Sequence, residues 1–278
     1  MKKRIIILTN SELRHVFFRK YMALSEEIEV INSYCEGGEK TIFVMVKKDN
    51  NNNNLRLKNL LARQQSEKDF FWLFIEIVPD YPDFIDSKPI QLPQGEINIS
   101  PYTQKIINSN PDLLVAYGCS LIKEPLLSAF QGRFLNVHLG LSPYYRGSGT
   151  NYWPLVNGEP EYVGATFMHM DAGIDTGEII HQIRAKCCWG DTPHQIGNRL
   201  IVEMAKTYRR IVENFDRLER MPQLSVPPDA KLYRKRDYTE ESVLTLRKNF
   251  RNGMIEKYLD EEAERCAKVP IIENPALK

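Results

Sequence analysis

Short aliphatic runs alternate with amphipathic stretches at the start of the chain. Arg4 to Leu8 is a compact aliphatic run, typical of a strand buried on both faces, and Ile28 to Ser33 alternates like a second strand. Between them, apolar residues recur at helical spacing from Ser11 to Ala23, and we expect Ser11 to cap this helix. The strand–helix–strand order predicts a parallel sheet with a right-handed crossover.

The same patterning continues toward the middle of the chain. A helical pattern begins at Leu57 and runs toward Phe74. Ser100 followed by a proline predicts a capped helix from Ser100 to Ser109. Leu113 to Tyr117 and Phe134 to His138 are short apolar runs that predict two more strands, and a long glycine-punctuated loop is expected from Leu139 to Thr150.

Two further strands and a long helix follow that loop. Tyr162 to Met170 and Glu178 to Ala185 are predicted strands joined by a tight turn from Asp171 to Gly177. Thr192-Pro193-His194-Gln195 is a capping box with proline in the first turn, so a helix should begin there and run to about Phe215.

The proline-rich stretch after Met221 predicts a boundary. We expect residues 1–220 to form the main domain and residues 221–278 to form a small appendage. That appendage contains a strand-like piece, Lys231 to Tyr238, and helices at Glu240 to Asn249 and Met254 to Lys268. The predicted fold class is α/β: a Rossmann-like, mostly parallel sheet flanked by helices, with a small C-terminal α+β region.

Composition narrows the class of protein. The 278 residues are 42% hydrophobic and 26% charged, with a net charge of +1, so no overall charge favours nucleic acid or an anionic membrane. No apolar run approaches the roughly 20 residues that span a bilayer. The apolar run after Lys2-Lys3-Arg4 is too short for a signal peptide. Five sparse cysteines favour free thiols and a cytoplasmic location.

An amide, an imidazole and a carboxylate are the candidate chemistry. Asn136 and His138 are two residues apart at the end of a predicted strand, so both side chains lie on the same side of it. Asp175 lies in the glycine-flanked turn that follows. Open parallel sheets bind ligands at their carboxyl edge, which is where these groups are expected to lie. An amide donor, a neutral imidazole and an orienting carboxylate can stabilise a tetrahedral oxyanion and move a proton during acyl transfer.

At these residues the chain resembles the formyltetrahydrofolate-dependent formyltransferases. The stretch Asn136-Val-His138-Leu-Gly-Leu-Ser142-Pro143-Tyr-Tyr-Arg146-Gly147 resembles their Asn-x-His loop, although the serine of the family pattern is displaced here. Asp171-Ala-Gly-Ile-Asp175-Thr-Gly177 resembles their second signature. Two motifs in the right order are a stronger signal than one, and the resemblance covers roughly Lys3 to Phe215.

The resemblance implies a direct transfer with 10-formyltetrahydrofolate as formyl donor and no metal. Its catalytic residues would be Asn136, His138 and Asp175. The folate-binding positions that it implies are Gly118, Cys119, Ser120, Leu121, Ile122, Asp171, Gly173 and Ile174. Asp171 also has the simpler interpretation of a turn former that bonds to its own loop.

The family uses three classes of amine acceptor. Glycinamide ribonucleotide enzymes carry a glycine-rich loop after the first strand, and this chain has none there. Methionyl-tRNA enzymes add a basic C-terminal domain, whereas the last 58 residues here hold 11 basic and 10 acidic residues. A nucleotide-linked amino sugar, formylated for surface polysaccharide, is therefore the favoured acceptor, with a homodimer as the expected assembly. Its candidate contacts are Asn10, Arg14, Tyr145, Arg146, Asn151, Tyr152 and Trp153.

Several alternatives stay open beside this hypothesis. A methionyl-tRNA formyltransferase or a formyltetrahydrofolate hydrolase would share the same three residues, and a degenerate binding module is the non-enzymatic alternative. Arg14 and His15 could instead lie on a solvated helix face. His181, Cys187, Cys188 and His194 match no common zinc spacing, so no metal site is expected. Cys119 is interpreted as a buried thiol rather than a nucleophile.

Overall fold

A central sheet of seven described strands has the order β3–β2–β1–β4–β5–β7–β8. It is seen in a computed structural model that describes residues 2–37, 46–47, 54–78, 88–173, 175–226 and 230–278. The strands are β1 (Lys3–Asn10), β2 (Ile28–Gly37), β3 (Ile90–Pro93), β4 (Leu113–Tyr117), β5 (Phe134–His138), β7 (Gly164–His169) and β8 (Ile179–Arg184). The first five strands in this order, β3, β2, β1, β4 and β5, are mutually parallel. The last two differ, since β7 is antiparallel to β5 and β8 is antiparallel to β7. The predicted mostly parallel, Rossmann-like sheet is thereby confirmed.

Helices cover both faces of this sheet. They are α1 (Leu13–Ala23), α2 (Leu55–Ile77), α3 (Tyr102–Asn108), α4 (Leu126–Ala129), α5 (Trp153–Asn157), α6 (Pro193–Glu213), α7 (Glu240–Arg251) and α8 (Met254–Ala267). The alternation along β1 shows why: Ile5 and Ile7 pack with side chains of α1, α2 and α6, while Ile6 and Leu8 pack with those of α3 and α4. The aliphatic run of β1 is therefore buried because it has a helix layer on each side.

The helix boundaries test the capping predictions. Thr192 caps α6 through the predicted capping box with Gln195, so this local signal is confirmed. The prediction for Ser11 is wrong: α1 begins one residue later, after Glu12, and the Ser11 hydroxyl donates to the side chain of Asn10. Ser100 is likewise not a cap, since α3 begins at Tyr102 after Pro101.

The C-terminal residues contact the long loop after β5. That loop contains a short strand, β6 (Tyr145–Gly147), which pairs in parallel with β9 (Lys231–Tyr233). The predicted strand from Lys231 to Tyr238 is therefore shorter than expected and ends at Tyr233. A Cβ on Gly147 would lie 2.2 Å from the Tyr233 carbonyl oxygen, so glycine is required for this close pairing.

Helices α7 and α8 complete the wall beside that loop. Leu246 of α7 and Ile255 and Tyr258 of α8 share one core with Leu155 of α5 and Leu200 of α6. Among the described residues, no helix combines the length and the apolar character needed to cross a bilayer.

Candidate active site

A cavity of about 580 Å³ opens where three parallel strands end. Asn10 ends β1, Tyr117 ends β4 and His138 ends β5, and all three residues line the cavity. Carboxyl ends of parallel strands are where open α/β sheets bind ligands, because the loops there diverge and leave a crevice. The fold therefore makes this cavity the candidate active site.

The predicted amide and imidazole enter the cavity from β5. Asn136 and His138 occupy alternate positions of the strand, so both side chains point to the same side, and both line the cavity. Leu135 and Val137, on the other face of β5, are buried in the core against α6. The buried apolar face fixes the register of the strand and therefore the position of its two polar side chains.

Asp175 reaches His138 from the turn between β7 and β8. Its Oδ2 lies 3.3 Å from His138 Nδ1, and both side chains are largely buried. The backbone of Asp175 has φ of +56°, a conformation that non-glycine residues adopt rarely and that is enriched at functional sites. Gln223 holds this turn by donating to the carbonyl oxygens of Asp175 and Gly177.

The His138 ring has an acceptor near each nitrogen. Nδ1 faces the Asp175 carboxylate, and Nε2 lies 3.2 Å from the backbone carbonyl oxygen of Tyr145. A neutral imidazole carries one N–H and satisfies one of these acceptors, whereas a protonated ring satisfies both. The site is therefore arranged to hold the imidazole in a fixed orientation.

The predicted folate-binding positions divide into two groups. Gly118 and Cys119 line the cavity, while Ser120, Leu121 and Ile122 form the loop that continues from them. Asp171 and Gly173 lie in the exposed turn before Asp175, where the Asp171 carboxylate accepts from the Gly173 N–H and the Thr176 hydroxyl. Asp171 thus forms its own turn. Ile174 lies outside the described residues.

Cys119 has the properties of an inert thiol. Burial and the nearby Glu36 carboxylate raise its pKa to about 12, so the sulfur stays protonated at neutral pH. All five cysteines of the chain are free.

A buried carboxylate holds the loop that follows β4. Glu36 is 3% exposed and accepts from the backbone N–H of Gly95 at 2.8 Å and of Ser120 at 2.6 Å. It also accepts from the Ser120 hydroxyl at 2.9 Å. Asn98 adds a second clamp, since its side chain bonds to the Leu121 carbonyl oxygen and the Lys123 N–H. These contacts fix the loop from Gly118 to Lys123 before any ligand arrives.

Replacing Glu36 with glutamine should lower the free energy of unfolding by about 1–3 kcal/mol, because an amide NH₂ would then face buried N–H donors. Denaturant unfolding followed by circular dichroism measures the change. Glu264→Gln is the matched control: its exposed pair with Lys268 contributes little, so the control should unfold like the wild type. Equal unfolding midpoints for all three proteins would contradict this role of Glu36.

The predicted acceptor contacts are only partly brought together. Asn10, Arg14, Asn151, Tyr152 and Trp153 line the cavity, whereas Tyr145 and Arg146 are not part of its wall. One face of the Trp153 ring is covered by Tyr233, which stacks on it at 4.1 Å. The Tyr152 hydroxyl is bonded to Ser242 at 2.9 Å.

Tyr145 has a structural position instead. It is 1% exposed, its ring stacks with Tyr233, and its hydroxyl bonds to Glu159 and Asn157. Burial and the Glu159 carboxylate raise the pKa of Tyr145. Its side chain anchors the loop against β9, and its backbone carbonyl faces His138.

Sequence reasoning missed a buried ion network in the cavity wall. Glu12 and Arg14 from the start of α1 meet Arg63 and Glu67 of α2. His15, next to this network, is buried, so its interpretation as part of a solvated helix face is wrong. Burial and the guanidinium of Arg14 lower the pKa of His15 to about 3. The i, i+4 spacing of Arg63 and Glu67 was the available signal, but it does not identify the partner helix.

Further cavity residues were also unassigned. They are Asn59 of α2, Gln94 after β3, Tyr117 at the end of β4, His194 of α6, and Arg234, Lys235 and Tyr238 after β9. Burial and then Arg63 lower the pKa of His194 to about 4, so this ring is neutral at physiological pH. The described residues contain no group of three or more His, Cys, Asp or Glu side chains that could hold a metal ion.

The ion network should give stability a distinctive dependence on pH. Burial opposes ionisation of Glu12, but Arg14 and Arg63 outweigh it and lower the pKa to about 2. A lowered carboxyl pKa stabilises the fold above the ordinary value near 4.5 and loses that contribution as pH falls toward 2. The wild type should therefore be more stable than Glu12→Gln at pH 6, and the difference should shrink between pH 4.5 and 2. Thermal melts across this range measure it, and a pH-independent difference would contradict the assignment.

Comparisons with known proteins support the fold and the family resemblance. Residues 92–212 match the family model described as formyl transferase. This segment includes β4, β5, β7 and β8 and all three of Asn136, His138 and Asp175. The resemblance of this segment to the formyl transferase family, which its two motifs predicted, is therefore confirmed.

Particular relatives share about half of the chain. The methionyl-tRNA formyltransferase of Desulforamulus reducens is 36% identical over 138 residues, which is 49% of this chain and 42% of that protein. The methionyl-tRNA formyltransferase of Geobacter metallireducens is 34% identical over 133 residues, 47% of this chain and 41% of that protein. The chain thus aligns with less than half the length of these curated relatives.

Solved structures show the same fold over more of the chain. A 4-N formyltransferase from Francisella tularensis superposes with a TM-score of 0.53 at 17% identity, covering 85% of this chain and 78% of that one. Glycinamide ribonucleotide transformylase 1 from Symbiobacterium toebii gives 0.52 at 16% identity, covering 79% and 94%. At these identities the similarity establishes the fold.

Proposed function

We propose that this protein is an N-formyltransferase that transfers the formyl group of 10-formyltetrahydrofolate to the amine of a nucleotide-linked amino sugar. The observation that carries the proposal is the shared position of Asn136, His138 and Asp175 at one cavity, with the imidazole held against the carboxylate. The formyl transferase match supports the reaction type, because it spans all three residues.

The chemistry follows from what these groups can donate and accept. The neutral amine attacks the formyl carbon, and the carbonyl π electrons move to the formyl oxygen. N–H groups of Asn136 and His138 stabilise this oxyanion. When the carbonyl re-forms, the bond from carbon to the folate nitrogen breaks, and the proton lost by the amine moves to that nitrogen. Asp175 orients His138 and stabilises the ring while it carries the proton.

The backbone carbonyl of Tyr145 competes with the formyl oxygen for the N–H of His138. Its oxygen is 3.2 Å from His138 Nε2, so an N–H at that nitrogen already has an acceptor within the protein. The formyl oxygen must share that N–H or displace the carbonyl. Asn136 has no competing side-chain bond in the described structure, so we assign it the main oxyanion contact.

The folate would bind beside the loop from Gly118 to Ile122 and the turn from Asp171 to Asp175. The first segment follows β4, which ends at the cavity, and is fixed by Glu36 and Asn98. The second carries Asp175 into the cavity wall. Gly118 has φ of +70°, and a Cβ there would lie 2.6 Å from His15 Nε2, so the backbone turns sharply at this point. Such preorganised backbone suits binding of a flat heterocycle by its N–H and C=O groups.

Two features of the cavity wall support a nucleotide-linked sugar as acceptor. The cavity wall combines cations with the aromatic residues Tyr152, Trp153 and Tyr238. Arginines bind phosphate groups, and aromatic rings pack against bases and sugars. We also propose that the enzyme works in the cytoplasm in surface polysaccharide synthesis and that it forms homodimers.

Methionyl-tRNA is the second candidate acceptor, and the curated relatives favour it. Their names identify them as methionyl-tRNA formyltransferases, but this chain spans less than half of their length. The nearly equal numbers of basic and acidic residues after residue 220 give little attraction for a polyanion. We therefore rank the sugar nucleotide first.

A panel of acceptors tests the proposal. The purified protein is mixed with 10-formyltetrahydrofolate and, separately, with amino-sugar nucleotides, with methionyl-tRNA or with no acceptor. Tetrahydrofolate release and acceptor mass are both measured. We expect release only with an amino-sugar nucleotide, whose mass rises by one formyl group. Formylated tRNA would replace the sugar with the second candidate, release without acceptor would indicate a hydrolase, and no release with any acceptor would contradict formyl transfer.

A further inference from the structure

The ion network of the cavity contains a carboxylate in the position of a bound anion. One oxygen of Glu12 lies 2.7 Å from Arg14 Nη2, and the other lies 2.8 Å from Arg63 Nη2. Two guanidinium groups that each hold one oxygen of a single anion form the geometry in which arginines bind phosphate. Here the anion is supplied by the chain itself, from the loop that joins β1 to α1.

The second carboxylate of the network differs from the first in exposure. Glu67 lies 3.1 Å from Arg14 Nη2 and 3.5 Å from Arg63 Nε, and its side chain is 4% exposed, whereas that of Glu12 is 29% exposed. Glu67 is therefore the fixed counterion of the two arginines. Glu12 is the one that can leave, and without it the remaining three groups carry a net charge of +1.

Unused hydrogen-bonding atoms surround this position. Arg14 Nε and Tyr117 Oη are buried and have no hydrogen-bond partner among the described residues. Tyr117 is 3% exposed, and both residues line the cavity. Buried polar atoms are nearly always satisfied in folded proteins, so unpaired donors in a cavity wall indicate a missing acceptor group.

We propose that Arg14 and Arg63 form the phosphate subsite of the acceptor pocket and that Glu12 occupies this subsite until the acceptor's phosphate displaces it. This inference rests on the proposed function, because it takes the acceptor to be a small molecule bearing a diphosphate. The subsite then selects acceptors by their anionic group. Glu12 stabilises the empty enzyme and competes with the ligand, so it sets a threshold on acceptor affinity.

A purely structural role for Glu12 makes the opposite prediction. If the carboxylate only joined α1 to α2, its loss would leave anion binding unchanged or weaken it by loosening the two arginines. If it occupies the subsite, its loss lowers stability and strengthens anion binding at the same time. A loss of stability together with tighter anion binding therefore distinguishes occupation of the subsite from a purely structural role of Glu12.

Isothermal titration calorimetry with inorganic pyrophosphate and with uridine, thymidine and guanosine diphosphates measures the subsite directly. For at least one of these probes, Glu12→Gln should bind about fivefold more tightly than the wild type, the factor that corresponds to an ion pair worth about 1 kcal/mol. Arg63→Met should bind it about 30-fold more weakly, since a largely desolvated cation that pairs with the ligand is lost.

The matched control is Glu213→Gln. Glu213 is also a half-buried glutamate paired with an arginine, Arg209, but it lies at the end of α6 and not in the cavity wall. Its substitution should leave binding of every probe unchanged. Thermal melts of all variants confirm that they are folded.

Unchanged or weaker binding by Glu12→Gln would overturn the proposal, as would failure of both proteins to bind any diphosphate. Strengthened binding of tRNA without strengthened binding of diphosphates would also overturn it. Titration with 5-formyltetrahydrofolate in the same samples separates this test from that of the proposed function. If the protein binds the folate but no diphosphate, only the phosphate-subsite proposal is contradicted. If it binds a diphosphate but not the folate, the formyl-transfer proposal is contradicted and the subsite proposal stands.

Discussion

Replacing Asn136 with alanine is expected to lower turnover about 10²- to 10³-fold, the scale measured when one oxyanion donor is removed. Its side chain lines the cavity from β5, two residues before the cavity-lining His138 and on the same side of the strand. Because the oxyanion forms only in the transition state, kcat and kcat/KM should fall together while KM stays near its wild-type value. Steady-state kinetics with the acceptor identified by the panel measures both constants.

Asn136→Asp is the shape-matched companion variant. It preserves the side-chain outline but replaces the N–H donor with an oxygen that repels the developing negative charge. Its turnover should be at least as low as that of Asn136→Ala, and its melting temperature should report an intact fold. Wild-type turnover in a folded Asn136→Ala protein would remove this residue from the mechanism.

The Gly177→Ala variant should lose both stability and activity. A Cβ at this position would lie 1.7 Å from the carbonyl oxygen of His169, which is rigid backbone of β7. The turn must therefore move, and we expect a loss of about 3 kcal/mol in the free energy of unfolding. Movement of the turn separates Asp175 from His138, and misplacement by about 1 Å can cost about 10²-fold in turnover.

Gly197→Ala supplies the matched control for stability. Gly197 lies within α6, and a Cβ there would meet nothing within 4 Å. Alanine favours helix over glycine by about 1 kcal/mol, so this variant should melt at or above the wild-type temperature. Urea unfolding of both variants provides the comparison. A Gly177→Ala protein as stable and active as the wild type would show that the turn does not position Asp175.

The parts of the fold that sequence predicted are those fixed by local patterns. The aliphatic residues of β1 and the capping box at Thr192 act within a few residues of chain, and both are confirmed. The cap predicted at Ser11 is absent, since α1 begins one residue later, after Glu12. The pairing of β6 with β9 could not be predicted, since it joins segments more than 80 residues apart in the chain.

In the candidate site, too, residues in local motifs could be predicted, whereas those placed by distant contacts could not. Asn136, His138 and Asp175 were identifiable because two compact motifs carry them. The position of Tyr145 was not, because whether an aromatic ring faces the cavity or Tyr233 depends on a distant strand. Arg63 lies in the stretch from Glu36 to Pro93, which gave no functional signal, and its role depends on contact with the loop after β1.

The central claim is that the cavity holds a formyl donor with its formyl group against Asn136 and His138. A crystal structure with bound 5-formyltetrahydrofolate, an unreactive donor analogue, tests it most directly. We predict that the pteridine lies along the backbone of Gly118 to Ile122 and that the formyl-bearing end faces the two side chains, within about 4 Å of them. Folate bound elsewhere, or an empty cavity at saturating ligand, would contradict the account.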